Sequence, residues 1–181
     1  MAKKIIIFGF SHCGTSILKS IIGHIDEVYE IINECNKIDI STDKKFILCK
    51  TPKFNKIYLS DKYDSYIKIF IIRNPVYAYS SINERFNYNI SKFHRLDKYF
   101  HTVNNFVELV NNPRKDIYTI KYEDLFDNNF KNLKSILDKI GFEYDDKIFD
   151  NSNYINKIVD DTKFESIKKN IFHIVFIEQN K

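Results

Sequence analysis

The stretch IIIFGFSHCGTS, residues 5–16, constrains the fold more strongly than any other part of the sequence. An apolar, β-branched run ends at a glycine, four residues follow, and a second glycine precedes a segment with apolar residues at helical spacing. A buried strand that passes through a glycine-containing loop into a helix is a typical unit of an α/β sheet. The pattern predicts a strand over residues 4–8, a helix over residues 15–22 and a helix stop at Gly23.

Three further apolar runs predict strands, at residues 46–49, 67–72 and 117–120. Helical signals separate or follow them. Pro75 suits the first turn of a helix, and apolar residues recur at helical spacing from Phe130 to Ile140, just before Gly141. Strands that alternate with helices are typical of a parallel sheet covered on both faces. We therefore expect an α/β fold of three layers, with a central parallel β-sheet flanked by helices.

Polar motifs follow the predicted strands. In an open parallel sheet, ligands bind beyond the carboxyl ends of the strands. The motifs at this position are Ser11-His12-Cys13-Gly14-Thr15, Lys50-Thr51-Pro52, Arg73-Asn74-Pro75 and Tyr122-Glu123-Asp124. We therefore expect the binding site at this edge of the sheet.

The loop after the first strand has the features of a phosphate-binding loop. It offers unpaired backbone N–H groups and the positive end of a helix dipole, and the hydroxyls of Thr15 and Ser16 can donate hydrogen bonds. The usual loop, G-x-x-x-x-G-K-[ST], carries a lysine for the β- and γ-phosphates, and here Thr15 stands at that position. A ligand with a single 5′-phosphate would not need the lysine. The alternative is an ordinary strand–turn–helix connection.

Arg73 ends a strongly apolar strand, and Ser80 and Ser81 follow about two helical turns later. An arginine at a strand end can bind a phosphate through its planar guanidinium, and the hydroxyl of a serine further along can bind the same phosphate. On this segment alone, an ion pair between Arg73 and a local carboxylate is the alternative.

Together the motifs resemble those of the sulfotransferases that use 3′-phosphoadenosine 5′-phosphosulfate (PAPS). The 5′-phosphosulfate loop of that family reads roughly (K/R)-x-G-T-(T/S/R), and residues 12–16 read HCGTS. Its 3′-phosphate motif reads R-(D/N)-P with a serine at the eighth residue after the arginine, and counting from Arg73 reaches Ser81. A lysine before Thr-Pro and a later (R/K)-Y-E-D-L are also common, and they match residues 50–52 and 121–125.

The resemblance implies a P-loop-like fold, with PAPS lying across the strand ends and adenosine 3′,5′-bisphosphate (PAP) as product. Arg73 and Ser81 would bind the 3′-phosphate, which separates this nucleotide from ATP. The residues that would hold the 5′ end are Ser11, His12, Cys13, Gly14, Thr15 and Ser16.

Sulfonyl transfer also needs a base for the acceptor's proton and positive groups near the leaving phosphate. The resemblance implies that Glu34 is the base, with Glu30 as the alternative if the register slips by one turn. The cation of the family's loop aligns with His12, and an ordinary histidine pKa of about 6.5 leaves the ring mostly neutral at pH 7. Lys50 is the expected supporting cation, and Lys19 is the alternative.

The length of 181 residues predicts one domain, residues 1–181. After Tyr144 the pattern is less regular, and it predicts a short helix near Phe164 and a strand over residues 171–175. A net charge of +4 suits a small anionic ligand, but it is well below the positive charge that is typical of a nucleic-acid-binding domain.

The three cysteines have no zinc spacing, and the apolar run at residues 5–10 is too short for a signal peptide or a membrane span. We therefore expect a cytoplasmic protein without a metal, membrane or nucleic-acid partner.

Three functions remain open. The first is transfer of a sulfonate from PAPS to a hydroxyl or amine of a small-molecule or carbohydrate acceptor. The second is a P-loop nucleotide or metabolite kinase, which the missing lysine and the lack of a clear Mg²⁺-binding acid at a strand end disfavour. The third is a catalytically silent nucleotide-binding relative, which the histidine at position 12 motivates.

Overall fold

A computed structural model describes residues 2–87 and 92–154, except for the side chain of Phe93. Within these ranges the strands are β1 (Lys3–Gly9), β2 (Val28–Glu30), β3 (Phe46–Thr51), β4 (Tyr66–Ile72) and β5 (Ile117–Lys121). The helices are α1 (Thr15–Gly23), α2 (Pro75–Phe86), α3 (Leu96–Asn111) and α4 (Asp127–Ile140). Short 3₁₀ turns lie at Lys56–Leu59, Asp61–Tyr63, Lys92–His94, Asp146–Phe149 and Asn151–Asn153.

The strands form a parallel sheet in the order β2-β3-β1-β4-β5. The central strand β1 is buried from Ile5 to Gly9, because it pairs with β3 on one side and β4 on the other. From β1 the chain leads towards β2 and β3, whereas the later strands β4 and β5 lie on the opposite side. Such a reversal of strand order leaves a crevice at the carboxyl end of the sheet, where ligands bind in open α/β folds.

Helices cover both faces of the sheet. On one face, apolar residues of α1 and α4 pack in a shared core with Ile5, Ile7 and Leu48. On the other face, Ile6, Phe8 and aromatic residues of the 3₁₀ turns pack with α3. These layers confirm the expected α/β fold with a central parallel sheet flanked by helices.

The helix boundaries follow the local sequence signals. The predicted stop at Gly23 is the last residue of α1. Pro75 occupies the first turn of α2, where the Asn74 side chain accepts a hydrogen bond from the Val76 N–H. Gly141 ends α4 in the left-handed conformation, with φ 88°. These predictions are confirmed.

Two elements were not predicted from the sequence, the three-residue strand β2 and the helix α3. The predictions at Phe164 and at residues 171–175 lie outside the described residues, and the single domain over residues 1–181 stays a prediction. In the part of the chain that the structure describes, no helix is both long and apolar enough to cross a membrane.

Candidate functional site

A cleft of about 640 Å³ opens at the carboxyl ends of β1, β3 and β4. We call it the loop cleft. Most of the residues that the sequence singled out line it: Ser11, His12, Gly14, Thr15, Ser16, Glu34, Lys50, Arg73 and Ser81. The motifs that are far apart in the sequence therefore meet in one place.

The loop between β1 and α1 is held by its backbone conformation. Gly14 has φ 93°, and a Cβ at this position would clash with the ring of Tyr122. His12 is also left-handed, with φ 62°. The first hydrogen bond of α1 runs from the Leu18 N–H to the Gly14 carbonyl at 3.0 Å. The N–H groups of the preceding first turn therefore have no partner within the helix, and they can serve an anion.

Arg73 is held against the loop by the motif that follows β5. Its guanidinium lies 4.1 Å from the centre of the Tyr122 ring, which also covers Gly14. Glu123 accepts a hydrogen bond from the Asn74 N–H at 2.7 Å, and the Tyr99 hydroxyl donates to the Arg73 carbonyl at 2.6 Å. The Tyr122-Glu123 pair therefore anchors the end of β4.

The guanidinium of Arg73 keeps hydrogen-bonding capacity. Its Nε atom is buried and has no hydrogen-bond partner among the described residues. Within the same residues no carboxylate forms an ion pair with Arg73, so the local ion pair that the sequence left open is not formed there. A buried, unpaired donor of this kind is costly unless a ligand satisfies it.

His12 joins the loop to α2. Its Nδ1 atom lies 2.9 Å from Ser81 Oγ, whereas Ser80 Oγ donates to the Val76 carbonyl within the helix. Both serines lie in α2, but only Ser81 lines the loop cleft, whereas the hydroxyl of Ser80 is bonded within the helix. Burial first of all, and then the nearby charge of Arg85, lower the pKa of His12 to about 4. The ring is therefore neutral at pH 7 and does not supply the positive charge that the family's loop places here.

Cys13 differs from its neighbours in the loop. The side chain is fully buried in a cluster with residues of α2 and α3, and burial raises the pKa of its thiol to about 12. Its N–H donates to the Phe10 carbonyl at 3.3 Å. Cys13 therefore does not line the loop cleft, and the expectation that it helps to hold the 5′ end stays a prediction.

Glu34 and Lys50 form an ion pair at the rim of the loop cleft, with Oε1 and Nζ 2.9 Å apart. The Glu34 side chain is 53% exposed and that of Lys50 is 13% exposed. The carboxylate can therefore reach an incoming molecule, while the ammonium is held against the protein. Their pairing places a carboxylate and an ammonium group side by side.

The two alternatives, Glu30 and Lys19, pair with each other at 2.8 Å. The buried Lys19 ammonium also donates to the carbonyls of Ile31 and Ile32. Neither residue lines the loop cleft. Their contacts instead fix the chain between β2 and β3 against α1.

The loop cleft also contains residues that the sequence analysis did not assign to it: Lys53, Glu84, Arg85 and His94. Arg85 lies one helical turn after Ser81, so the spacing of four residues was the signal that could have found it. His94 is distant in sequence from His12, yet their rings are 6.0 Å apart. The lining cations Lys50, Lys53, Arg73 and Arg85 outnumber the carboxylates Glu34 and Glu84.

A second cavity, of about 590 Å³, adjoins the loop cleft. We call it the side cavity. Ser11, Glu34, Pro52 and Lys53 line both spaces and form the wall between them. The side cavity reaches from this wall to α3, where Lys98, His101 and Thr102 line it. Over the described ranges, no group of three or more His, Cys, Asp or Glu residues is placed to hold a metal ion.

Solved structures with a similar fold include several sulfotransferases. A mouse sulfotransferase complexed with PAP has a TM-score of 0.62 at 18% identity, covering 81% of this chain and 60% of its own. A sulfotransferase from Alicyclobacillus acidocaldarius has a TM-score of 0.55 at 12% identity, covering 79% and 82% of the two chains. The sulfotransferase domain of the Synechococcus olefin synthase has a TM-score of 0.57 at 13% identity, covering 81% and 76%.

No protein-family model and no curated protein matches the sequence. The chain spans about 60% of the length of the mouse sulfotransferase. At these identities the likeness concerns the fold, and the chain has a sulfotransferase-like fold. The resemblance drawn from the motifs is confirmed at that level.

Proposed function

We propose that the chain is a sulfotransferase that moves a sulfonate group from PAPS to a hydroxyl or amine of an acceptor and leaves PAP. One observation carries the proposal. Arg73 and Ser81 line the same cleft as the first turn of α1, so a site suited to a 3′-phosphate adjoins a site suited to a 5′-phosphate. The mouse sulfotransferase, a structural neighbour in complex with PAP, supports it.

The 3′-phosphate would be bound by Arg73 and Ser81. The guanidinium is oriented by the Tyr122 ring, and its buried Nε is free to donate to an anion. Ser81 Oγ can donate to the same phosphate while the neutral His12 ring holds it in place. ATP and ADP lack a 3′-phosphate, so these contacts would select PAP over them.

The 5′ end would lie at the start of α1. Backbone N–H groups at a helix N-terminus stabilise a phosphate through hydrogen bonds and the helix dipole. Thr15 and Ser16 can add their hydroxyls, and both line the loop cleft. The lysine of an ATP-binding loop serves the β- and γ-phosphates, and a single 5′-phosphate does not require it.

In the transfer step, Glu34 would accept the proton of the acceptor's hydroxyl or amine as its oxygen or nitrogen attacks sulfur. PAPS supplies the sulfonate, whose bond to the bridging phosphate oxygen breaks while the electron pair stays on that oxygen. Lys50 and Arg85 would stabilise the negative charge that develops there, since cations in a partly enclosed site act strongly. His12 contributes a hydrogen bond rather than a charge.

We also propose a cytoplasmic location, which the free thiols support. Cys13, Cys35 and Cys49 are free cysteines, and free thiols persist in a reducing environment. This agrees with a cytoplasmic enzyme. Its acceptor is proposed to be a small molecule or a carbohydrate.

Calorimetry with PAP and ADP tests the proposal. PAP should bind at least tenfold more tightly than ADP, and Arg73→Ala should abolish the difference. Arg95→Ala is the control, because Arg95 is exposed, pairs with Asp97 and lines neither cavity. Equal binding of the two nucleotides, or unchanged binding after Arg73→Ala, would refute the proposal.

The two alternative functions, a kinase and a catalytically silent relative, predict different results. A kinase would hydrolyse or transfer the γ-phosphate of ATP in the presence of Mg²⁺. A catalytically silent relative would bind PAP in the calorimeter but transfer no ³⁵S-sulfonate from PAPS to any member of a broad acceptor panel.

A further inference from the structure

Resting on the proposed function, we propose that the side cavity binds the acceptor and that this acceptor carries an anionic group next to a ring. The acceptor's hydroxyl or amine would lie at the wall formed by Ser11, Glu34, Pro52 and Lys53. Its anionic group would lie at the α3 side, against Lys98. The charge and the aromatic lining of the cavity both contribute to this assignment.

The side cavity is placed next to the proposed base, because the two spaces share a wall. Glu34, the proposed base, lines both the loop cleft and the side cavity. A molecule in the side cavity therefore meets the carboxylate from the side opposite the nucleotide. A volume of about 590 Å³ lies within the range of pockets that hold small molecules.

The inner surface of the cavity is aromatic. Phe10 and Tyr58 line it and are buried, and Phe54 lines it while stacking on Phe70 with ring centres 5.1 Å apart. The His101 ring stands edge-on to Phe54 at 5.7 Å. Fixed aromatic faces of this kind favour a planar or saccharide ring over a flexible chain.

The charged residues that line the cavity are mostly positive. Lys53 and Lys98 line it, and Glu34 is its lining carboxylate. That carboxylate is already paired with Lys50. The charged side chains that line the side cavity therefore have a positive excess.

Lys98 is available for a ligand. The adjacent Asp97 pairs with Arg95 at 2.9 Å. Within residues 2–87 and 92–154, Lys98 has no ion pair of its own. Lys98 and His101 are three residues apart on α3, so both face the cavity together. An acceptor with a carboxylate or sulfate would complement this positive surface, whereas a neutral acceptor would leave it unmatched.

A matched pair of glycosides provides the test. 4-Nitrophenyl β-D-glucuronide and 4-nitrophenyl β-D-glucoside share the sugar hydroxyls and the aromatic ring and differ in the carboxylate. The 6-O-sulfate of the glucoside tests the other anionic group. Binding is measured by ligand-observed NMR with and without saturating PAP, and ³⁵S transfer from PAPS is measured in parallel.

We expect at least one anionic glycoside to bind about fivefold more tightly than the neutral glucoside, as one partly exposed charge pair allows. Lys98→Gln should remove the preference and leave PAP affinity unchanged, because Lys98 does not line the loop cleft. Lys131→Gln is the matched control, since this exposed lysine lies on α4, which packs against the other face of the sheet.

The outcomes separate the two proposals. Failure of PAP to bind, together with a Lys98-dependent preference for an anionic glycoside, would refute the proposed function and still support the side cavity as a site for an anionic ring compound. PAP binding with equal affinity for all three glycosides, or with none binding, would overturn the assignment alone. Displacement of the glycosides by PAP would also overturn it, because the cavity would then belong to the nucleotide.

Discussion

His12 Nδ1 lies 2.9 Å from Ser81 Oγ, although 69 positions separate the two residues in the chain. This contact joins the loop at the start of α1 to the helix that follows the Arg73 motif. A lysine or arginine here would bring charge to the loop, whereas a half-buried neutral imidazole orients the serine. The positive charge at this loop must therefore come from other residues of the cleft, and Arg85 is the charged residue that acts most strongly on His12.

The first prediction concerns the pH dependence of stability. The pKa of His12 in the folded protein is about 4, below its ordinary value of 6.5. Between these values the unfolded chain binds a proton that the folded chain does not, so the free energy of unfolding should fall as the pH decreases from 6.5 to 4. Urea unfolding at pH 7 and pH 5 measures this loss, which should be smaller in His12→Gln. An equal loss in both proteins would contradict it.

The second prediction concerns the shape of the Arg73 side chain. Arg73→Lys keeps the charge but loses the planar fork and the stacking on Tyr122. We expect about a tenfold loss of PAP affinity, with little change in the affinity for 5′-AMP, which has no 3′-phosphate. Calorimetry with the two nucleotides measures both effects. Arg95→Lys serves as the control, and a parallel loss for 5′-AMP would show that the variant had disturbed the whole cleft.

The sheet could be predicted from the sequence because its strands are short apolar runs that end at polar motifs. The strand β2 was missed, because three residues, VYE, show no period. The helix α3 was missed for another reason. It buries Thr102 and Asn105 along with Tyr99 and Phe106, and buried polar residues interrupt the apolar pattern.

The residues of the candidate site also fall into those that the sequence predicted and those that it missed. Motifs that are contiguous in the sequence, such as the loop and the Arg73 turn, could be placed at the strand ends from the order of elements alone. Lys98 reaches the side cavity only through the packing of α3, and His94 reaches His12 through the chain that follows α2. The lowered pKa of His12 likewise depends on burial among distant residues, which no local pattern contains.

The third prediction separates Glu34 from Glu30. Glu34→Gln removes the proposed base and should lower kcat by about 100-fold or more while PAP affinity stays the same. Glu30→Gln should instead destabilise the fold by about 1–3 kcal/mol, since the buried Lys19 loses its carboxylate partner. Sulfonate transfer, calorimetry and thermal unfolding measure the three quantities. The opposite pattern, with activity lost only in Glu30→Gln, would make Glu30 the base.

The last prediction uses two glycines that share a backbone conformation. Gly14 and Gly141 have φ 93° and 88°, so an alanine at either position should cost about 1–2 kcal/mol of stability. At Gly141 a Cβ would meet open space, whereas at Gly14 it would clash with the Tyr122 ring. Gly14→Ala should therefore cost more than Gly141→Ala, and it should also weaken PAP binding.

We expect weaker PAP binding in Gly14→Ala because Gly14 contacts Tyr122 and Tyr122 contacts Arg73. A Cβ at Gly14 would push Tyr122 away, and Arg73 would lose the ring that orients its guanidinium. Thermal unfolding and calorimetry on the two variants separate the conformational cost from the clash. Equal unfolding free energies and unchanged PAP affinity in Gly14→Ala would show that Tyr122 moves without disturbing Arg73, and the ring would then have no part in positioning the 3′-phosphate.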